Sequence, residues 1–109
     1  MKSYTDINQS RKLAEILPLE SADMMHDRLI VIPFNDGSLT PCWSLAALLN
    51  VLPNTITSND GIAFKLNIKK NIIEYSNPPL YLIYKSVKSE NIVDACYEMI
   101  LKLHELNLL

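Results

Sequence analysis

Glycine is almost missing from this chain. Only Gly37 and Gly61 occur in 109 residues, too few for the glycine-rich turns that cradle a dinucleotide or a phosphate. Cysteine is present only as Cys42 and Cys96, which excludes a disulfide-built scaffold. Arginine occurs twice, little for a protein that reads nucleic-acid bases. No uninterrupted apolar run exceeds the five residues seen at 45–49, against the roughly 20 that a membrane span needs. Residues 1–25 carry acids and no apolar run of signal-peptide character, so the expectation is an intracellular, cytoplasmic protein with reduced thiols and no membrane contact.

Apolar side chains are what the chain has in quantity. Hydrophobic residues make up 49% of it and charged residues 20%, with a net charge of −2. Leucine and isoleucine supply 17 and 12 positions. That content can offset the entropy of ordering the chain, which excludes disorder. The length fits a single domain over 1–109. It also leaves a modest stability margin, which a dimer would widen.

Periodicity predicts an α+β order: helix, short strand, helix, three-stranded antiparallel meander and C-terminal helix, with the helices on one face of the sheet. Residues 5–17 carry Ile7, Leu13, Ile16 and Leu17 at helical spacing, with Thr5 as the expected cap and Pro18 as the stop. Residues 18–27 read as irregular. Residues 28–34 read as a strand, with Pro33 near an edge or its end, and Asn35-Asp36-Gly37 as a turn. Residues 40–52 read as a helix capped by Thr40, with Pro41 at its first position and Pro53 beyond its end. After Gly61 the period becomes two: Ile62, Phe64, Leu66 and Ile68 face one way, Ala63, Lys65, Asn67 and Lys69 the other. Strands over 71–76 and 80–87 complete the meander, divided by Asn77-Pro78-Pro79. A helix over 91–106, capped by Asn91 with Asp94 returning the bond, closes the chain. The apolar tail 107–109 is expected to dock back.

Three segments, ADM at 22–24, TPCWSLAALLNVLP at 40–53 and NIVDACYEMILKL at 91–103, resemble a group of small proteins of gut anaerobes, often encoded near prophage or mobile elements. The group has the same pieces in the same order: a short helix, an ADM turn, a PxWSL helix opening, a meander and a closing helix that begins with Asn and carries DA. The resemblance implies this fold order and a bacterial or phage setting. It implies no activity, cofactor or catalytic residue.

Candidate chemistry is sparse. Cys42, in the first turn of the expected second helix, would have its thiolate favoured by the helix dipole, and His26 could serve as its base. The plainer reading is a small buried hydrophobe. Trp43 is either a partner anchor or the side chain that locks a helix onto the sheet. Ser44 lacks the flanking glycines of a nucleophile elbow. Asp23, His26 and Asp27 are better explained as turn formers than as metal ligands, because a site needs more donors. His104 is expected in solvent. Neither a metal nor a cofactor is expected.

Charge distribution is the clearest asymmetry. Residues 61–88 hold Lys65, Lys69, Lys70, Lys85 and Lys88 against the single acid Glu74, a local +4, which leaves −6 for the rest. Tyr75, Tyr81 and Tyr84 are interleaved with these lysines, a pattern that can hold single-stranded nucleic acid on an open sheet. Lysines on strands also block edge-to-edge aggregation. The leading expectation is a non-catalytic interaction module that binds a protein partner or itself, with Trp43, Tyr81 and the tail as contact points. The alternatives are nucleic-acid binding through Lys65, Lys69 and Lys85, and a cysteine-dependent enzyme using Cys42 and His26.

Overall fold

A computed structural model describes residues 2–27, 30–33 and 40–109, with segments 25–27 and 30–33 described through their backbone alone. The order is α1 (Ile7–Ile16), a 3-10 turn (Leu19–Ser21), β1 (Met24–Asp27), β2 (Ile30–Pro33), β3 (Thr40–Cys42), α2 (Leu45–Val51), β4 (Thr55–Thr57), β5 (Ala63–Lys69), β6 (Ile72–Asn77), a second 3-10 turn (Pro78–Leu80), β7 (Leu82–Lys88) and α3 (Ile92–Glu105). The fold is α+β, with helices packed on a sheet. Its strands form two antiparallel sheets, ordered β2-β1-β3 and β4-β5-β6-β7. The expected turn at Asn35-Asp36-Gly37 lies outside the described residues. Pro33 ends β2 on the outside of its sheet, where a strand tolerates a residue with no N–H.

The N-terminal half differs from the pattern-based expectation in three places, with a shared cause. The helix expected from Thr40 starts at Leu45, and Thr40-Pro41-Cys42 is an edge strand paired with β1, Met24 opposite Cys42 and His26 opposite Thr40. Trp43 spends its backbone on Thr5, donating N–H to Thr5 Oγ1 at 3.1 Å and accepting from Thr5 N–H at 2.9 Å. Residue 43 is thereby kept out of the helix, and the extended Ser44 becomes the cap, its Oγ accepting from Ala47 N–H at 3.2 Å. With Thr5 committed to this junction, the cap of α1 moves to Asp6. Asp6 and Gln9 exchange both bonds of a capping box, at 2.8 and 3.1 Å. Residues 24–27, expected to be irregular, supply the central strand between β2 and β3.

The meander has four strands, one more than periodicity predicts. Thr55–Thr57 pairs with β5, Ile56 opposite Phe64, across a turn closed by Gly61 N–H to Ser58 O at 2.9 Å. Gly61 takes φ of +82° there, a conformation that side chains oppose. One face of this sheet presents Ile56, Phe64, Ile73, Tyr75 and Val87, all buried. Onto this core pack Val93, Cys96, Met99, Ile100 and Leu103 of α3, with Leu48 of α2 beyond. Asn91 caps α3 as expected, accepting from Asp94 N–H at 2.9 Å and donating to the Asp94 carboxylate at 2.8 Å. The far end closes through Asn107 in a left-handed conformation. Leu108 N–H bonds Leu103 O at 2.9 Å and Asn107 N–H bonds His104 O at 3.1 Å. This is a Schellman closure with Asn in the usual glycine place, and it folds Leu108 back onto the core.

Lys2 ties the two ends of the chain together. Its ammonium lies 2.7 Å from Asp94, 2.9 Å from Gln9 Oε1 and 3.3 Å from Asp6, and Gln9 also donates to Asp94 at 2.8 Å. Burial works against the charge on Asp94, but bonds from Lys2, Gln9 and Asn91 outweigh it and hold the carboxyl below its ordinary 3.8. Burial likewise opposes charge on Lys2, and its bonds to Asp94 and Asp6 raise it above its ordinary 10.5. A lowered carboxyl stabilises the fold above 3.8 and loses that contribution as pH falls through its folded value. A raised amine stabilises below 10.5 and loses it as pH climbs past its own folded value. Urea unfolding of Asp94→Asn should show a loss of about 1–2 kcal/mol at neutral pH and a shallower fall in stability below pH 4 than the unsubstituted chain. An unchanged acid limb would show that the network contributes nothing.

Candidate functional site

Cys42 was the strongest chemical candidate, and its surroundings disarm it. It sits fully buried at the end of β3, outside α2 and two residues before its cap Ser44. Burial, and then the charge of Asp23, push its thiol up to about 11. A nucleophile needs the opposite. The backbone of His26 pairs with Thr40 and Val31, and its side chain lies outside the described residues. Asp23 is bound to Ser44, accepting Ser44 N–H at 3.0 Å and the Ser44 hydroxyl through a short bond, so neither residue is poised for attack. Among the described residues no three His, Cys, Asp or Glu side chains cluster as metal ligands.

Trp43 presents no surface. Its ring is fully buried and its indole N–H donates to Ser21 Oγ at 2.9 Å. It anchors the fold from within, so the partner-anchor reading of this residue fails. The segments that carry the resemblance are accounted for in the same way. Ala22, Trp43, Val93 and Ala95 are core, Asp23 and Ser44 fix the start of α2, and Asn91 and Asp94 fix that of α3. These residues specify a fold.

The basic face of the meander is divided. Strand register places Lys65 and Lys69 on the side away from α3, whereas Lys85 lies opposite Tyr75, half-buried, with Nζ 5.5 Å over the Tyr84 ring. Lys69 lies 3.7 Å from Glu74. Two of the three tyrosines turn away from the open surface too. Tyr75 is buried and donates to Pro53 O at 2.7 Å, and Tyr84 leans on Phe64 with ring centroids 5.2 Å apart. Lys65, Lys69 and Lys85 therefore do not form one stacking platform for bases.

Two concavities stand out among the described residues. One, of about 550 Å³, lies where the end of α1 and the following turn meet α2 and the end of α3, with Leu17, Val51 and Leu109 as apolar wall and Glu20 and His104 at its rim. Its hydroxyl, Ser21, is already engaged by Trp43 and Pro18 O. The other, about 320 Å³, is a groove beside the β6–β7 turn, lined by Ala63, Lys65, Ser76, Asn77, Pro78 and Pro79. Ser76 pairs with Ile83, so this groove runs into the largest exposed apolar stretch of the described chain. Leu80, Tyr81, Leu82 and Ile83 stand 54, 94, 41 and 61% exposed in succession. Periodicity had placed 80–83 inside a strand, but Asn77 Oδ1 caps a 3-10 turn by accepting Leu80 N–H at 3.2 Å, and Tyr81 is thrown out at φ +55°.

This apolar tip leads into an edge. In the order β4-β5-β6-β7, the outer side of β7 has no strand paired to it among the described residues. Its second half carries Lys85 and Lys88, the charges that keep edges from pairing. Its first half, Leu82 and Ile83, carries no charge. Tyr81, one of the expected contact residues, is exposed, while the pattern marks Leu80, Leu82 and Ile83 only as strand. Their signal was the apolar run directly after two prolines.

Native-state alkylation tests the disarmed thiols. With Cys42 raised to about 11 and Cys96 likewise raised by burial, both should react at pH 8 at least about a hundredfold more slowly than in urea-unfolded protein. Rapid labelling of Cys42 in the folded chain would restore it as a candidate nucleophile. No protein-family model, curated protein or solved structure matches this chain, so its function has to be read from its own geometry.

Proposed function

We propose that this chain is a non-catalytic protein-interaction module, an accessory protein of the bacterial or mobile-element setting that its segments suggest, working in the cytoplasm. It docks through the apolar tip at 80–83 and adds an extended segment of a partner to the open side of β7. The observation that carries this reading is the run of four exposed apolar side chains leading into an uncharged edge half-strand. Burying such side chains against a partner stabilises a complex by about 1–2 kcal/mol each, and strand addition supplies main-chain hydrogen bonds that an edge otherwise gives to water. Tyr81 strengthens the reading. A bulky residue at φ +55° costs about 1 kcal/mol relative to glycine or asparagine there, and its ring gains nothing from the fold at 94% exposure.

A photoreactive residue at position 81 should form one dominant adduct in cells, and one at exposed Lys12 should not. The protein identified in that adduct, purified, should reconstitute the complex with the unsubstituted chain. Ile83→Lys should abolish the complex and leave the melting curve unchanged. Tyr81→Asn should weaken it while stabilising the free chain by up to about 1 kcal/mol. Equal adducts from both positions, or a complex indifferent to Ile83→Lys, would sink the proposal.

A further inference from the structure

The chemistry of the docked segment can be read from the charges around β7. Lys65, Lys70, Lys85 and Lys88 have no carboxylate within ion-pairing distance among the described residues, and the hairpin's only acid, Glu74, is held by Lys69 at 3.7 Å and by Asn67 at 3.2 Å. Adjacent strands lie about 4.8 Å apart, so β6 is well within the Debye length of about 8 Å at physiological salt and β5, about 10 Å from β7, is just beyond it. From β5 to β7, lysines outnumber acids around this edge five to one, with Glu90 as the next acid just beyond the end of β7. A second copy of this chain, docked antiparallel through its own β7 in full overlap, would set Lys85 against Lys85 and Lys88 against Leu82, supplying no acid to either lysine.

Resting on the docking surface proposed above, we infer that the occupant is an acidic strand of another protein, paired antiparallel to β7, with its acids leading and its apolar residues following. Every strand pair in this sheet is antiparallel, and that ladder is the better bonded per residue. Antiparallel register reverses the order of β7. The partner meets Lys88 first, then Lys85 three positions on, then Ile83 and Leu82. Lys88 pairs with Ile72 and Lys85 with Tyr75, which places the two lysines on opposite faces of the sheet. An acid, two spacers, an acid, one spacer and two apolar residues satisfy this edge. The lysines then act both as attraction for that sequence and as repulsion for neutral, basic or self strands.

Two synthetic peptides of one composition test this. One runs from glutamates to valine and leucine in that spacing, and the other is its reverse. Binding is read from the amide shifts of β7 in the isotope-labelled full chain. The forward peptide should bind at least about tenfold more tightly than the reverse and lose about tenfold on going from about 50 to about 300 mM salt. Lys88→Glu should weaken it by a similar factor, and a peptide with lysine for the leading glutamate should restore binding to that variant. Equal binding of both peptides, or binding insensitive to salt and to Lys88→Glu, overturns the inference. If neither peptide binds while the chain forms a dimer that Ile83→Lys dissolves, the docking surface stands and the acidic-strand assignment falls. If neither peptide binds and the chain is a monomer with no adduct partner, both fall.

Discussion

Three hydrogen bonds on one residue set the geometry of the N-terminal half. Trp43 gives its backbone N–H to Thr5 Oγ1, takes Thr5 N–H on its carbonyl, and sends its indole N–H to Ser21. The ring between them is fully buried. Burying an indole is favourable only if its N–H finds a partner, and Ser21 is available only because Pro18 forces a turn directly after α1. That single placement brings together the N-terminal segment, the turn after α1, the end of β3 and the start of α2. Asp23 completes it by binding both the N–H and hydroxyl of Ser44, so the helix that follows inherits its direction from a residue 21 positions earlier.

The same junction decides what Cys42 can be. A thiol at a helix start would feel free N–H groups. A thiol one residue before a buried tryptophan, beside a carboxylate engaged as a cap, feels burial and a negative charge. Both raise its pKa. The requirements of the fold and those of a nucleophile conflict at this position, and the fold is the one served. Lys2 shows the complementary case. Its bonds to Asp94, Asp6 and Gln9 join the caps of the first and last helices, so charges that could have marked a site close the structure instead.

Local pattern and long-range pairing explain which parts of the fold could be read from the chain. The closing helix was legible to within a residue at each end, because its stripe, its Asn91–Asp94 cap and its termination are all local. So were β5 and β6, whose alternation is local too. Thr40-Pro41-Cys42 was not. Those three residues have a plausible helix-start chemistry, and only the pairing with β1 and the claim of Thr5 on Trp43 make them a strand. β4 escaped for a related reason: three residues carry too short a period to register, although Thr-Ile-Thr between Asn54 and Ser58 has the composition of a strand. At the surface, composition exposed the basic meander but not its division between two faces, because that division depends on cross-strand pairing, with Lys85 opposite Tyr75 on the core-facing side and Lys65 opposite Ser76 on the other.

The irregular register between Tyr75 and Ser76 explains why the edge of β7 has two characters. Beyond it, toward Lys88, the strand keeps phase with β6, Val87 enters the core, and lysines guard the edge. Before it, Ile83 and Leu82 pair with Ser76 and Asn77, near the proline turn where α3 no longer provides cover, and both are left in solvent. A monomer with no use for this end could place polar side chains at 80–83 at no cost to its core, since none of the four belongs to the buried cluster. The chain instead keeps four apolar residues there, one of them a tyrosine in a conformation that other residues adopt more cheaply. Solvent exposure of that surface is unfavourable for the free protein, and the surface is explained once something else is packed against it.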